Sequence, residues 1–232
     1  MTNRDEMLAA IQRGLARHRG HLERLSNGTS RTPPAFVHPR AEDVVGQFER
    51  ELALLEVRTH AVESTTGALT ALAAVLTRED ARSVLAWSDH EIGLEGVEAL
   101  LASRGIDRRV PDRDRMRFQP DALQALALAE VGITGIDVAI AESGTLVLAT
   151  GSGRSRLGSL LAPVHVAIVR ESQIVRGLGD AMGRLRERYG DTLFRDRSNV
   201  TFITGPSRTA DIELTLTLGV HGPRSIDVIL LR

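Results

Sequence analysis

Residues 57 to 87 read VRTHAVESTTGALTALAAVLTREDARSVLAW, and the fold class is predicted from the pattern of this stretch. Two short runs with β-like composition, VRTHAVES and SVLAW, flank a segment of small and branched apolar residues, TTGALTALAAVLTRED. The flanking runs have the length of strands, whereas the segment between them is long enough for a helix. A strand, a helix and a second strand in this order predict parallel strands of one sheet with a helix on its face.

The same alternation continues on both sides of this stretch and favours an α/β fold. The second half of the chain is richer in strands, and the alternating apolar residues of DIELTLTLGV favour a strand over a helix. We therefore predict one open, mostly parallel sheet of about seven strands, flanked by helices. The other predicted helices are 41–56, 93–105, 115–130 and 180–190, and the other predicted strands are 108–111, 145–150, 164–169, 199–205, 211–220 and 225–231.

An amphipathic helix at residues 3–25 precedes this domain. The stretch SNGTSRTPPAFVHPR that follows is rich in turn formers and ends the segment. The chain therefore divides into an N-terminal helix and linker, 1–40, and an α/β domain, 41–232. The helix either packs on its own domain or docks on a partner protein, because an exposed apolar stripe needs a surface to cover it. Its apolar positions are Met7, Leu8, Ile11, Leu15, Leu22 and Leu25.

Composition narrows the classes of function. A net charge of −1 and 3% aromatic residues provide neither a basic field nor stacking surfaces for nucleic acid. The chain has no cysteine, so its own thiolates cannot ligate an iron–sulfur cluster. All 29 basic residues are arginine, which excludes the lysine of a Walker A loop. No signal-peptide core and no apolar run of about 20 residues occurs, so we expect a cytoplasmic protein without a membrane span.

The first candidate for chemistry is Glu142, which begins the run ESGT. A carboxylate beside Ser143 and Thr145 could act as a nucleophile, as a general base or as an acceptor that holds a turn. Gly144 would let a substrate approach the backbone closely. An acid with serine and glycine is also ordinary turn chemistry, so a purely structural role stays open.

The second candidate is the run GSGRSR. Backbone N–H groups in a glycine-rich turn can surround an anion, and arginine binds phosphate or carboxylate in a bidentate manner. Gly151 and Gly153 would shape this turn, and Arg154 and Arg156 would bind the anion. The alternative is a flexible hairpin with solvated arginines.

The third candidate is the run SRTADIE. Asp211 and Glu213 share one face of a strand and could bind a metal or polarise a water. They could equally cap a turn or pair with Arg208. Ser207 and Thr209 add hydroxyl groups to the same turn.

The run GVHGPRS places His221 between two glycines, where it is either functional or a structural histidine that holds a turn. The glycine-rich turns would converge if they lay on one edge of the sheet, and ligands of such sheets bind beyond the carboxyl ends of the strands. No recognised metal-binding motif occurs, so we predict no metal site. A strand of about six residues spans roughly 20 Å, so ESGT and GSGRSR, at opposite ends of TLVLAT, need not share a site.

Three of these segments, GITGIDVAIAESGTLVL, GPSRTADIE and GVHGP, together resemble the LUD-domain family, specifically its lactate-utilisation protein C branch. The resemblance runs from about residue 40 to the C-terminus. It implies a fold of the NagB/ribose-5-phosphate isomerase/CoA-transferase type, which is an α/β sheet flanked by helices.

The resemblance also implies a role as a non-redox subunit or accessory protein in the oxidation of L-lactate to pyruvate. Partner proteins of such a system carry the iron–sulfur clusters, which agrees with the absence of cysteine here. A small anionic ligand is a further expected partner.

A more distant resemblance provides an alternative. CoA-transferases of this broad fold use a glutamate nucleophile in an acid–Asn–Gly setting, and Glu142 is placed similarly, with Ser143 where asparagine is usual. The chain would then be a small-molecule enzyme acting alone. A metabolite-binding module is a further alternative.

Overall fold

The computed structural model describes residues 4–14, 16, 42–111, 124, 126–190, 193, 197–210 and 216–232. The chain divides into two units, Met1–Pro33 and Pro34–Arg232. None of the helices formed by the described residues is long and apolar enough to cross a bilayer.

Helix α1 covers residues 4–14 of the first unit, and residue 16 is also helical. Its apolar side chains Met7, Leu8 and Ile11 are 57%, 43% and 51% exposed. The helix predicted over 3–25 is therefore observed in its first half. Leu15, Leu22, Leu25 and the predicted linker lie outside the described residues, so the boundary at residue 40 stays a prediction.

The second unit contains the remaining described helices and all the described strands. Its helices are α2 (Val44–Leu54), α3 (Thr65–Arg78), α4 (Asp89–Ile92), α5 (Val97–Ser103), α6 (Leu157–Leu160) and α7 (Leu178–Tyr189), with a 3₁₀ turn at Glu171–Gln173. Its strands are β1 (Arg58–Val62), β2 (Ser83–Ala86), β3 (Asp107–Arg109), β4 (Val131–Gly135), β5 (Val138–Ile140), β6 (Thr145–Gly151), β7 (Val164–Arg170), β8 (Ile174–Val175), β9 (Arg197–Ile203), β10 (Arg208–Ala210), β11 (Leu216–Leu218) and β12 (Ser225–Leu231).

Among the described residues, six strands form one parallel sheet in the order β1-β12-β7-β4-β2-β3. The strand–helix–strand unit predicted at 57–87 is confirmed, and β1 and β2 are parallel members of this sheet, although three strands separate them. Strands β2 and β4 are fully buried, as expected for a parallel sheet covered on both faces. The predicted fold class, a mostly parallel sheet flanked by helices, is confirmed.

The prediction of one sheet with about seven strands is wrong. Among the described residues, a second sheet has the order β8-β5-β6-β9, and β10 and β11 form a separate antiparallel pair. The buried run TLVLAT belongs to this second sheet as β6, where it pairs antiparallel with β5 and β9. Strand β5 follows β4 after two residues, so the chain turns out of the parallel sheet instead of continuing it.

Local sequence explains where several helices begin and end. The hydroxyl of Ser64 accepts a hydrogen bond from Gly67 N at the start of α3. The helix predicted over 93–105 begins only at Val97, because Gly96 before it has a φ of +92°. Most of the predicted 115–130 helix lies outside the described residues, as do residues 211–215 of the predicted 211–220 strand.

Asp227 of β12 is fully buried at the amino edge of the parallel sheet. It accepts hydrogen bonds from Arg58 and from Arg78 at the end of α3, and it lies 2.8 Å from His60 Nε2. Burial raises the pKa of Asp227, but the hydrogen bonds from Arg58, Arg78 and His60 outweigh burial and lower it overall. This charged group fixes the end of α3 to the strands.

A buried histidine lies in the middle of the parallel sheet. His165 of β7 is fully buried, and its Nε2 lies 2.8 Å from the Oγ1 of Thr134 on the neighbouring strand β4. Burial lowers the pKa of His165 to about 4, because the imidazolium form would lose its hydration.

This histidine makes the stability of the fold depend on pH. Its folded-state pKa lies below the usual value of about 6.5, so the unfolded chain takes up the proton more readily. The contribution of the neutral His165 to the free energy of unfolding is fully present above about pH 6.5. It is lost as the pH falls towards 4, by about 3 kcal/mol in total. Urea unfolding between about pH 7.5 and 4 should show this loss.

Replacing His165 with Gln should flatten the pH dependence in that range, because the amide does not titrate. Replacing the exposed His90 with Gln is the control and should leave the slope unchanged. An H165Q protein with the pH slope of the parent would contradict the assignment.

Candidate functional site

The glycine-rich run GSGRSR forms the loop between β6 and α6, at the carboxyl edge of the parallel sheet. Trp87 directly follows the last residue of β2, and its Nε1 donates a hydrogen bond of 2.9 Å to the carbonyl of Ser155 in this loop. Gly158 of α6 packs against the side chains of Thr134 in β4 and Trp87. The loop therefore lies over the ends of β2 and β4, where ligands of parallel sheets bind.

A cleft of about 720 Å³ opens at this loop. The volume falls within the range of about 300–1,000 Å³ that is usual for small-molecule sites. Among the described residues, its walls come from the end of β2, from residues after β3, from the glycine-rich loop and from β9. The lining residues are Ala86, Trp87, Val110, Pro111, Thr150, Gly151, Ser152, Gly153, Arg154, Ser155, Arg156, Leu157, Ser198 and Asn199.

Arg154 is 1% exposed, and it is bound by a buried carboxylate. Its Nη1 and Nη2 donate to Oδ1 and Oδ2 of Asp137 at 3.0 and 3.1 Å. Its Nε lies 3.4 Å from Glu91 without hydrogen-bond geometry, and its guanidinium lies over the ring of Trp87 at 4.5 Å. Burial lowers the pKa of Arg154, but attraction to Asp137 outweighs burial and raises it overall. Arg154 is thus primarily a structural cation.

Tyr189, the last residue of α7, completes this cluster. Its hydroxyl donates to Asp137 Oδ1 at 2.6 Å and accepts from Arg154 Nη1 at 2.9 Å. Burial and the hydrogen bond to Asp137 both raise the pKa of Tyr189. Arg188 approaches Asp137 to 3.3 Å from the solvent side. The network joins α7 to the loop that forms the cleft.

Arg156 differs from Arg154 in its surroundings. It is exposed, lines the cleft and forms no ion pair with any residue that the structure describes. Gly153 has a φ of +73°, a conformation that favours glycine, and a Cβ there would meet open space. The loop thus presents at the cleft a guanidinium, that of Arg156, which no described residue pairs.

Glu142 lies at the other end of β6, near the start of α7. Its Oε1 accepts a hydrogen bond of 3.0 Å from the backbone N–H of Leu178, the first residue of that helix. The N-cap residue Gly177 has no side chain to fill this role, and a carboxylate at a helix N-terminus is favourable. This hydrogen bond gives Glu142 a structural role at the start of α7. Its role as a nucleophile stays a prediction.

A chain of hydroxyl groups follows Glu142. Ser143 Oγ lies 2.7 Å from Thr145 Oγ1, which lies 2.8 Å from Thr204 Oγ1 after β9. A Cβ on Gly144 would lie 3.0–3.2 Å from atoms of Glu51 and Leu55. Gly144 therefore packs closely on α2 and the residue after it.

The turns TGPSRT and GVHGPRS meet next to these hydroxyl groups. The Ser207 N–H donates to the carbonyl of Pro223 at 2.8 Å, and the Ser207 hydroxyl accepts from the His221 N–H at 3.3 Å. Arg208 donates to the carbonyl of Leu55 and to Glu56. Thr209 lies in β10, paired with β11. Asp211 and Glu213 lie outside the described residues.

The structure thus brings ESGT, TGPSRT and GVHGPRS together, but at the amino edge of the parallel sheet. Leu55 and Glu56 precede β1, and the Arg224 N–H, just before β12, donates to Pro163, just before β7. Convergence of the glycine-rich turns was predicted only if they lay on one edge of the sheet, and these three share the amino edge instead of the carboxyl edge where ligands of parallel sheets bind. ESGT lies there because β5 runs antiparallel to β6, back to the amino edge. Only GSGRSR, after β6, reaches the carboxyl edge, so the two ends of β6 do not share a site.

Sequence reasoning missed the residues that organise the cleft. Asp137 is a single acid within the apolar run GIDVAI, and such an acid signals a buried, paired carboxylate. Trp87, the only tryptophan of the chain, follows a buried strand directly. Tyr189 had no comparable signal, because it ends an ordinary amphipathic helix. Among the described residues, no group of three histidine, aspartate or glutamate side chains is placed to hold a metal.

The profile of the LUD domain matches residues 45–231. Lactate utilization protein C of Shouchella clausii is 32% identical, over 95% of this chain and 94% of that protein. Lactate utilization protein C of Geobacillus sp. (strain WCH70) is 32% identical, over 95% and 92%.

One crystal structure, of a DUF162 family protein from Deinococcus radiodurans, superposes with a TM-score of 0.59 at 24% identity. The similarity covers 84% of this chain and 100% of that chain. It shows that the two proteins share a fold.

The ion pair of Asp137 and Arg154 should dominate local stability. Replacing Arg154 with Met leaves a buried carboxylate with incomplete compensation, which should lower the free energy of unfolding by about 3 kcal/mol or more. The same change at the exposed Arg156 should cost less than about 0.5 kcal/mol. Urea unfolding of the two variants measures both values. Equal losses in the two would show that the pair is not the anchor of the loop.

The hydrogen bond from Leu178 to Glu142 should have a measurable structural value. Replacing Glu142 with Ala should cost about 1 kcal/mol of unfolding free energy, and replacing it with Gln should cost less, because an amide oxygen still accepts the bond. The exposed Glu63, replaced with Ala, is the control. If E142A unfolds like E63A, this helix-capping role is refuted.

Proposed function

The chain belongs to the LUD domain family, in the branch of the lactate utilization protein C relatives, and on this premise we propose that it is a non-redox subunit of a system that oxidises L-lactate to pyruvate. The observation that carries the proposal is the extent of the match. The relatives named for lactate utilization align over nearly the full length of both proteins, for example over 95% of this chain and 94% of the Shouchella clausii protein.

Lactate oxidation requires electron carriers, and this chain has no cysteine thiol that could hold one. Conversion of the hydroxyl carbon to a ketone releases two protons and two electrons, and the electrons need an acceptor. The chain has no cysteine to hold an iron–sulfur cluster. In this proposal, iron–sulfur proteins of the same system accept the electrons, and this protein acts with them in the cytoplasm.

The contact with these partners is assigned to helix α1. Met7 and Ile11 lie four residues apart and therefore share one side of the helix with Leu8 nearby. All three are exposed within the described residues, at 57%, 51% and 43%. Exposed apolar side chains at helical spacing suit a protein–protein contact.

Growth tests the proposed role. Deleting the gene in a host with no other L-lactate dehydrogenase should abolish growth on L-lactate and leave growth on pyruvate intact. A plasmid carrying the intact gene should restore growth on L-lactate. Normal growth of the deletion strain on L-lactate would overturn the proposal.

Co-purification tests the partner contact. A tagged protein with both Met7 and Ile11 replaced by Asp should lose iron–sulfur proteins that the parent retains, because the charges disrupt an apolar contact. Replacing Gln12 with Asp, on the same helix, is the matched control and should retain them. Retention by the double variant would remove α1 from the interface.

A further inference from the structure

The glycine-rich loop offers a group of unpaired backbone donors. The N–H groups of Ser152, Gly153, Ser155 and Arg156 make no hydrogen bond to any residue that the structure describes. All four residues line the cleft. Successive backbone N–H groups in a turn form a concave site for an oxyanion. The adjoining hydroxyl-bearing residues Thr150 and Ser198 also line the cleft.

The charge around the cleft favours an anion. Among the described residues, four cations line the cleft or adjoin its lining residues, whereas two acids, Asp137 and Glu91, lie in the same cluster. Asp137 contacts the guanidiniums of Arg154 and Arg188, at 3.0 and 3.3 Å. It therefore does not neutralise the other two cations, Arg156 and Arg197. The four cations are Arg154, Arg156, Arg188 and Arg197.

Arg197 strengthens this excess of positive charge. It pairs with Gly151 across β6 and β9, and its guanidinium lies 5.0 Å from the ring of Tyr189. Its Nε is buried and has no hydrogen-bond partner among the described residues.

The volume and the lining residues of the cleft suit a ligand larger than lactate. A three-carbon hydroxy acid would fill only a small part of about 720 Å³. Val110, Pro111 and Leu157 provide apolar surface beside the loop, and Val110 is 60% exposed. A ligand with a charged head and an apolar body would use both parts of the site.

From these observations we infer that the cleft binds an organic oxyanion whose phosphate or carboxylate head lies in the 152–156 loop and whose apolar body lies along Val110, Pro111 and Leu157. Arg156 pairs with the head directly. Arg154 holds the loop in place through Asp137 and is a positioning residue. This assignment goes beyond the proposed role in lactate oxidation and rests on the cleft alone.

The chain carries its own reporter for this site. Trp87 is the only tryptophan and donates its Nε1–H to the loop, so binding should change its fluorescence. The probes for the full-length protein are phenyl phosphate, benzoate and phenol, with inorganic phosphate as a head without a body. We expect saturable binding of phenyl phosphate, benzoate or both, with Kd below about 1 mM, and at least about tenfold weaker binding of phenol and of inorganic phosphate.

The relative affinity of the first two probes identifies the head as phosphate or carboxylate. Replacing Arg156 with Gln should weaken binding at least about tenfold, because a charge-assisted hydrogen bond is lost. Replacing the exposed Arg50 on α2 with Gln is the matched control and should bind as the parent does. Both changes are at exposed positions, so both proteins should fold.

Three results would overturn the assignment: no saturable signal with either anionic probe, phenol binding as tightly as the anions, or unchanged binding by R156Q. None of these depends on growth with L-lactate. Failure of the ligand site and failure of the lactate role are therefore distinguished by separate measurements.

Discussion

A buried carboxylate, Asp137, holds the two sheets and the glycine-rich loop in one arrangement. It lies between β4 and β5, where the chain leaves the parallel sheet for the second sheet. Its oxygens accept hydrogen bonds from Ala149 N–H, from the Arg154 guanidinium and from the Tyr189 hydroxyl. A carboxylate can be buried at tolerable cost only when its lone pairs are filled in this way. Because Asp137 binds the guanidinium of Arg154, Arg156 is the arginine of this loop that is exposed at the cleft.

A close contact between two glycines adds a second constraint. A Cβ on Gly132 of β4 would overlap the carbonyl oxygen of Gly158 in α6. Only glycine at position 132 lets this short helix lie directly on the parallel sheet, so the chain can leave the carboxyl edge and return to the amino end of β7. The contact places the loop before α6 over Trp87. The cleft is therefore a consequence of close backbone packing on one face of the sheet.

The alternation of strands and helices at 57–87 was sufficient to predict a mostly parallel sheet with helices on its faces. It could not show that β5 and β6 leave that sheet, since a buried antiparallel strand and a buried parallel strand have the same apolar composition. The pairing of Asp137 with Arg154 could also not be predicted from the local sequence. The two residues are 17 positions apart, before β5 and after β6, and only the tertiary fold shows that Arg154 is buried while Arg156 is exposed.

The segments that carry the family resemblance and the loop that forms the cleft have different physical roles. Gly144 and Gly205 pack closely on Leu55, and Ser207 fastens the turn before β12. Such contacts demand particular residues, because a side chain or a missing hydroxyl would separate the turns at the amino edge. The loop at the carboxyl edge has a glycine at positive φ, backbone N–H groups without a partner among the described residues, and an exposed arginine, Arg156, without an ion pair to them. A specific sequence signature therefore marks the packing of this fold, while a generic run, GSGRSR, lines the cleft at the carboxyl edge.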